Sequence, residues 1–174
     1  MIRKIHMLND FLKEKFNEKI YKVSLDGGFT CPNRDGKVSK GGCIFCSENG
    51  SGDFTATKLK SIHEQIEEQI DLVSKKYKGD KYIAYFQNFT NTYAEVSYLR
   101  KIYQEALSHE KIVGLAIATR PDCLGDDVLE LLAELNKKTF LWVELGLQTV
   151  NDDVAKYFNR AYETGIYKSV FRYW

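Results

Sequence analysis

A chain of 174 residues, 44% hydrophobic, is long enough to bury one real core and too short to suggest two domains. Its 25 Lys and Arg against 24 Asp and Glu leave a formal net charge of +1, so no global field marks a nucleic-acid or anionic-membrane binder, although a local basic patch stays open. No stretch approaches the roughly 18 apolar residues of a membrane span, and the N-terminus mixes Asp10, Glu14 and Glu18 with its lysines, without the apolar run of an export signal, so the expected compartment is the cytoplasm.

The first predicted element is a short helix capped by Asn9, with Leu8, Phe11, Leu12 and Phe16 as its apolar stripe. Ile20 to Leu25 alternates as a strand and runs through Gly27 and Gly28 into a loop, Cys31 to Cys46, extended by Asn49, Gly50, Ser51 and Gly52. Ser61 and Glu64 form a capping box for a helix with Ile62, Ile66, Ile70 and Val73 on one face, ending near Gly79. Lys81 to Gln87 is the second strand; Val96, Leu99, Ile102, Tyr103, Ala106 and Leu107 then repeat at helical spacing. Ile112 to Thr119 is a nearly continuous apolar run, as in a parallel strand buried on both faces. Val128, Leu131, Leu132 and Leu135 make the next helix, and Phe140 to Gln148 the fourth strand. A short helix with Val154, Ala155 and Phe158 follows Asn151, after which Ala161 to Trp174 shows no clear further strand or helix. The fold class is therefore α/β with repeated βα units on a parallel sheet; the pattern leaves a barrel segment and an open sheet both standing.

Three of the four cysteines, Cys31, Cys43 and Cys46, lie in the loop after the first strand, where Pro32, Gly36, Gly41 and Gly42 allow tight turns. Three thiolates would leave one iron of a [4Fe-4S] cube free for a non-protein ligand. Cys43 and Cys46 are also half of a zinc knuckle, with His6, His63 or Cys123 as a fourth ligand, and spacing alone leaves both readings open. Gln87, Arg120, Glu144 and Gln148 are polar residues within or just after apolar strands, at the ends where parallel sheets place their sites. Each alone reads as a satisfied structural group; together they read as a ligand site. Asn33 and Arg34 are expected to shape the loop. The tyrosines and Trp142 are expected in the core, Cys123 is expected to be inert, His6 and His63 to be solvated, and His109 to close a helix.

The ending Cys43-Ile44-Phe45-Cys46 resembles that of the radical S-adenosylmethionine (radical SAM) enzymes, whose more usual pattern has a shorter first interval than the eleven residues here. The stretch Val23 to Gly36 with Gly41 to Cys46 closely resembles a bacterial branch of that superfamily, of poorly defined substrate and related to the catalytic subunit of Elongator. The likeness continues through Ala84 to Gln87, Thr90 to Ala94, Ala118 to Asp122 and Glu144 to Gln148, covering about Leu8 to Arg160. It implies a partial TIM-type barrel with about four of six βα units present, a core over residues 1–160 and a divergent tail over 161–174, as in a C-terminally truncated member. An eight-unit barrel takes about 250 residues, so six units need roughly 190 before extensions. The resemblance further implies a cluster on Cys31, Cys43 and Cys46, with S-adenosylmethionine held on its open iron by the strand-end rim. Phe45 would lie near the adenine, Gln87 would replace a glycine-rich segment, and Arg120, Glu144 and Gln148 would make polar contacts. The implied chemistry is reductive cleavage to methionine and a 5'-deoxyadenosyl radical, with an electron donor such as flavodoxin or ferredoxin as partner. tRNA is a candidate substrate, without support from the near-neutral charge. A non-catalytic zinc-binding or interaction module is the alternative.

Overall fold

In the computed structural model, which describes residues 5, 7–48, 50 and 59–170, the apolar strand segments form one sheet. The expectations placed on His6, Asn49, Ser51, Gly52, Phe171, Tyr173 and Trp174 lie outside the described residues. The strands are β1 (Tyr21–Leu25), β2 (Tyr82–Phe86), β3 (Ile112–Thr119) and β4 (Phe140–Leu145), all parallel and in chain order. Between them run α2 (Ile62–Ser74), α3 (Val96–Leu107) and α4 (Asp126–Asn136), preceded by α1 (Leu8–Phe16) and followed by α5 (Asp152–Tyr157) and α6 (Thr164–Val170).

The order β1-β2-β3-β4 settles the question that periodicity leaves open. Val23 and Leu25, Ala84 and Phe86, and Leu115 and Ile117 pack with Ile66, Leu99, Tyr103, Leu131 and Leu132 in one core, so α2, α3 and α4 cover the same face. A doubly wound sheet would reverse its order and carry helices on both faces; an unreversed order with helices on one side is barrel geometry. The opposite, concave face carries Lys22, Ser24, Ile83, Tyr85, Ala116, Trp142 and Glu144, and Leu12 of α1 packs there with Ile20, Ile83 and Ala116. All six residues of β4 are only half-buried, β3 being its one neighbouring strand among the described residues.

Several boundaries move from their expected places. The first helix starts at Leu8, with Met7 as cap and its N–H donating to Asp10, so Asn9 lies inside the helix. The Ser61–Glu64 capping box forms, Glu64 N–H donating to Ser61 Oγ at 3.2 Å and Ser61 N–H to Glu64 Oε2 at 2.8 Å, but α2 stops at Ser74, short of Gly79. The C-terminal segment carries α6, which packs on the 3-10 turn Pro121–Cys123 and adds Val170 to the core.

At Gly114 the backbone of β4 lies close to β3: a Cβ there would stand 2.7 Å from the Phe140 carbonyl oxygen. That neighbour is backbone in a paired strand and cannot rotate away. Gly114→Ala is therefore expected to destabilise the fold by about 1–3 kcal/mol, roughly 2–12 °C in a thermal melt. An unchanged midpoint would mean that β4 slides freely on β3.

Candidate metal and cofactor site

The chain leaves β1 through a buried polar joint. Gln65 of α2 accepts from the Asp26 N–H at 2.8 Å and donates to the Asp26 carbonyl at 3.0 Å, while the Asp26 carboxylate accepts from Gly28 N–H and Asn88 Nδ2. This joint launches the cysteine loop from the C-terminal end of the strand. Within the loop, Arg34 and Asp35 N–H groups donate to the Cys31 carbonyl, Gly42 N–H to the Asn33 carbonyl and Cys46 N–H to the Cys43 carbonyl. Arg34 spans the far side, its guanidinium donating to the carbonyls of Cys46, Ser47 and Glu48. Gly42 sits at φ 77°, and a Cβ there would meet Arg34 Nε at 2.9 Å, so the turn before Cys43 needs glycine on both counts.

The loop closes over a cavity of about 320 Å³ at the C-terminal ends of the strands. Cys31, Cys43, Cys46, Phe45, Gln87, Arg120, Glu144 and Gln148 all line it. All four cysteines are free and half-buried, and Cys123 is not among the lining residues. The Cys43 thiol hydrogen-bonds to Cys46. That bond, aided by the charges of Arg34 and Arg120 against the cost of burial, lowers Cys46 to about 6, while the same bond together with burial pushes Cys43 up. Asn33 Nδ2 donates to Cys43 Sγ at 3.4 Å. Burial, with the Asp122 carboxylate, pushes Cys123 up to about 12.

The strand-end residues differ in how they are engaged. Arg120 is 8% exposed, donates from Nε and Nη2 to the Asp122 carboxylate at 2.9 and 2.7 Å, and from Nη1 to the Arg160 carbonyl at 2.9 Å. Glu144 accepts from Lys22 Nζ and from Tyr85 Oη, each at 2.7 Å. The Lys22 ammonium also lies over the rings of Tyr85 and Trp142, at 4.0 and 4.7 Å, so Trp142 is a half-buried wall of the concave face. Gln148 is exposed beyond the end of β4, at φ 59°. Phe45 is 54% exposed and meets Phe158 edge-to-face.

Sequence reasoning missed Thr90, Arg160 and Tyr162, which also line the cavity. Thr90 Oγ1 and Asn33 Oδ1 are buried without a hydrogen-bond partner, Thr90 on the cavity wall and Asn33 against Cys43. Thr90 falls in a stretch singled out for its resemblance; nothing local marks Arg160 or Tyr162. His63 is exposed, whereas His109 is buried and meets Glu67 through Nε2 at 2.9 Å. His109 Nδ1 accepts from the Lys111 N–H, so in the neutral ring Nε2 carries the proton and has no lone pair for a metal. Neither histidine lines the cavity.

Three thiols with one already acidic, an N–H donor on a second sulfur, two nearby guanidinium groups and an orphaned hydroxyl form a donor set that fits an anionic iron–sulfur cube with a polar ligand beside it. Comparison with known proteins points the same way. The family model described as Radical SAM superfamily matches residues 31–174. The chain is 52% identical over 165 residues to the uncharacterized protein YtqA of Bacillus subtilis, covering 95% of this chain and 51% of that protein. It is 42% identical over 165 residues to the protein YhcC of Escherichia coli, covering 94% and 52% respectively. The chain thus spans about half the length of the curated relatives it matches. Among solved structures, the archaeal Methanocaldococcus infernus Elp3 with an N-terminal deletion superposes with a TM-score of 0.56 at 16% identity, over 87% of this chain and 34% of that one, which is a likeness of fold.

Proposed function

The chain belongs to the radical SAM superfamily, and on that premise we propose that Cys31, Cys43 and Cys46 hold a [4Fe-4S] cluster whose fourth iron takes S-adenosylmethionine. The observation that carries this reading is the convergence of these three free cysteines with Gln87, Arg120, Glu144 and Gln148 on one cavity, while Cys123 stays out of its lining. When bound and reduced, that pair supplies one electron for sulfonium cleavage and a carbon radical that takes hydrogen from a substrate.

The residues of the chain divide the remaining work. Cys46 is the thiol of the pair that the loop favours as thiolate, since it accepts from Cys43 and faces the Arg34 and Arg120 charges. Arg34 and Arg120 offset the thiolate charge, and Asn33 donates to the Cys43 sulfur, which steadies the ligand and weakens its donation to iron. Thr90 offers an unspent hydroxyl to a polar ligand, and Gln87 and Gln148 line the same cavity. Glu144 acts as a charge already balanced by Lys22, so its contact with a ligand ammonium would be a shared one. Phe45 supplies an aromatic face at the mouth. A cytoplasmic setting, a reductant of flavodoxin or ferredoxin type and tRNA as a candidate substrate complete the proposal. The zinc alternative calls for a fourth protein ligand, and among the described residues neither His63 nor Cys123 lines the cavity.

The test is anaerobic reconstitution followed by electron paramagnetic resonance of the dithionite-reduced protein. Saturating S-adenosylmethionine is expected to change the g-values of the cluster signal. An unchanged signal in both this chain and the longer YtqA relative would sink the radical reading.

A further inference from the structure

We infer that Asn159 is a positioning residue for Cys43, an inference that rests on the cluster assignment above. Asn159 follows α5 in the left-handed region, at φ 58°, and so turns its side chain back toward the cysteine loop. Its amide is spent on the residues just before Cys43: Nδ2 donates to the Gly42 carbonyl at 2.8 Å and to the Lys40 carbonyl at 3.2 Å, and Oδ1 accepts from Ser39 Oγ at 3.2 Å. Just after Cys43, the Ile44 N–H donates to the Phe158 carbonyl at 3.1 Å. The third hold is on the sulfur itself. Asn33 Nδ2 donates both to Cys43 Sγ at 3.4 Å and to the Asn159 carbonyl at 2.5 Å, so residue 159 fixes the group that faces the thiol.

Residues 158 and 159 therefore bracket Cys43 from both sides of its backbone and through its sulfur. The loop's own glycines make such a bracket necessary. Gly41 and Gly42, at φ 81° and 77°, leave the backbone before Cys43 free to occupy many states, and the bonds from Asn159 join the loop's own Gly42 N–H bond to the Asn33 carbonyl in selecting one. An asparagine suits the place because it tolerates the left-handed backbone while offering two donors and one acceptor.

Asn159→Gly keeps that backbone and removes only the amide. It is expected to leave the melt of the metal-free protein within a few degrees of wild type. Iron should then be lost to a chelator about 10–100-fold more readily, the range for outer-shell partners of metal ligands. The line shape of the reduced cluster should change, since the backbone before Cys43 loses its side-chain bonds at Ser39, Lys40 and Gly42 while the Asn33 bond to the carbonyl of residue 159 remains. Asn151→Ala serves as the control: Asn151 Oδ1 caps α5 by accepting from Asp153 and Val154 N–H groups and has no bond to the loop. It should weaken the helix without altering the signal. If wild type loads iron and Asn159→Gly holds it equally well with the same spectrum, the inference is overturned. It is equally overturned if Asn151→Ala reproduces the spectral change, because α5 stability would then be the cause. If wild type takes up no iron and sulfide, the cluster assignment falls and the inference falls with it.

Discussion

Alanine at Cys31, Cys43 or Cys46 is expected to empty the site, and alanine at Cys123 to leave it filled, as read by iron and sulfide content after anaerobic reconstitution. Each of the three lines the cavity and would supply one thiolate to a different iron, so no neighbour can replace it. The loss should exceed the roughly 10–100-fold typical of outer-shell changes, since a first ligand is gone. Cys123 differs in place and in charge. It does not line the cavity, and burial with the neighbouring Asp122 carboxylate pushes its thiol up, against the thiolate form. If Cys123→Ala empties the site as thoroughly as Cys43→Ala does, a four-cysteine metal site is the better account.

Arg160→Ala is expected to have the largest effect on stability. The side chain is 1% exposed and serves five acceptors: the carbonyls of Tyr162, Leu147 and Thr149, the Asp152 carboxylate and Thr164 Oγ1. Its carbonyl also accepts from Arg120, and both guanidinium groups lie over the Tyr162 ring, at 4.3 and 4.9 Å. Truncation takes a donor from three carbonyls and from the Asp152 carboxylate, of which the Leu147 carbonyl keeps the Thr149 N–H and Asp152 keeps Thr164, a loss of about 3–5 kcal/mol when each buried acceptor left short costs about 1–3 kcal/mol. For a chain of this size that is roughly 6–20 °C in a thermal melt. Arg160→Lys should recover little, because one ammonium with three protons cannot fan out to five acceptors. A melt of either variant within a degree or two of wild type would show that the cluster of bonds is incidental.

What the sequence showed and what it hid follow from the range of the forces involved. The apolar run Ile112 to Thr119 announces β3 to the residue, because a strand buried on both faces needs no outside information to be read. The helix stripe of Ile62, Ile66 and Ile70 is equally plain, and the three cysteines with Gln87, Arg120, Glu144 and Gln148 could be gathered from motif and strand-end position. Strand ends were read too long. Gln87 and Gln148 lie past Phe86 and Leu145, where the ladder has stopped, and composition does not mark that point. Barrel or open sheet was undecidable from periodicity, since strand order is a property of pairing. The partners of Lys22 and Arg160 were out of reach as well. Lys22 meets a glutamate 122 positions away, and Arg160 is a charged residue that is buried only because carbonyls of the preceding loop point at it. α6 carries few apolar residues over a short length, too weak a period to read.

The order of the strands and the long reach of the loop contacts together set a sequence of events in folding. Each strand pairs with its predecessor in the chain, so the sheet can grow unit by unit from the N-terminus, closing one modest loop at a time. The cysteine loop follows another schedule. Its bonds to Asn159 span separations of 117 to 126 residues, and none can form before α5 has been synthesised and docked. The three thiols thus leave the ribosome well before the residues that set their geometry. A metal centre on this loop would gain its full set of holds only after α5 has docked on the four described strands, and until then the thiols would be open to oxidants and to the wrong ion.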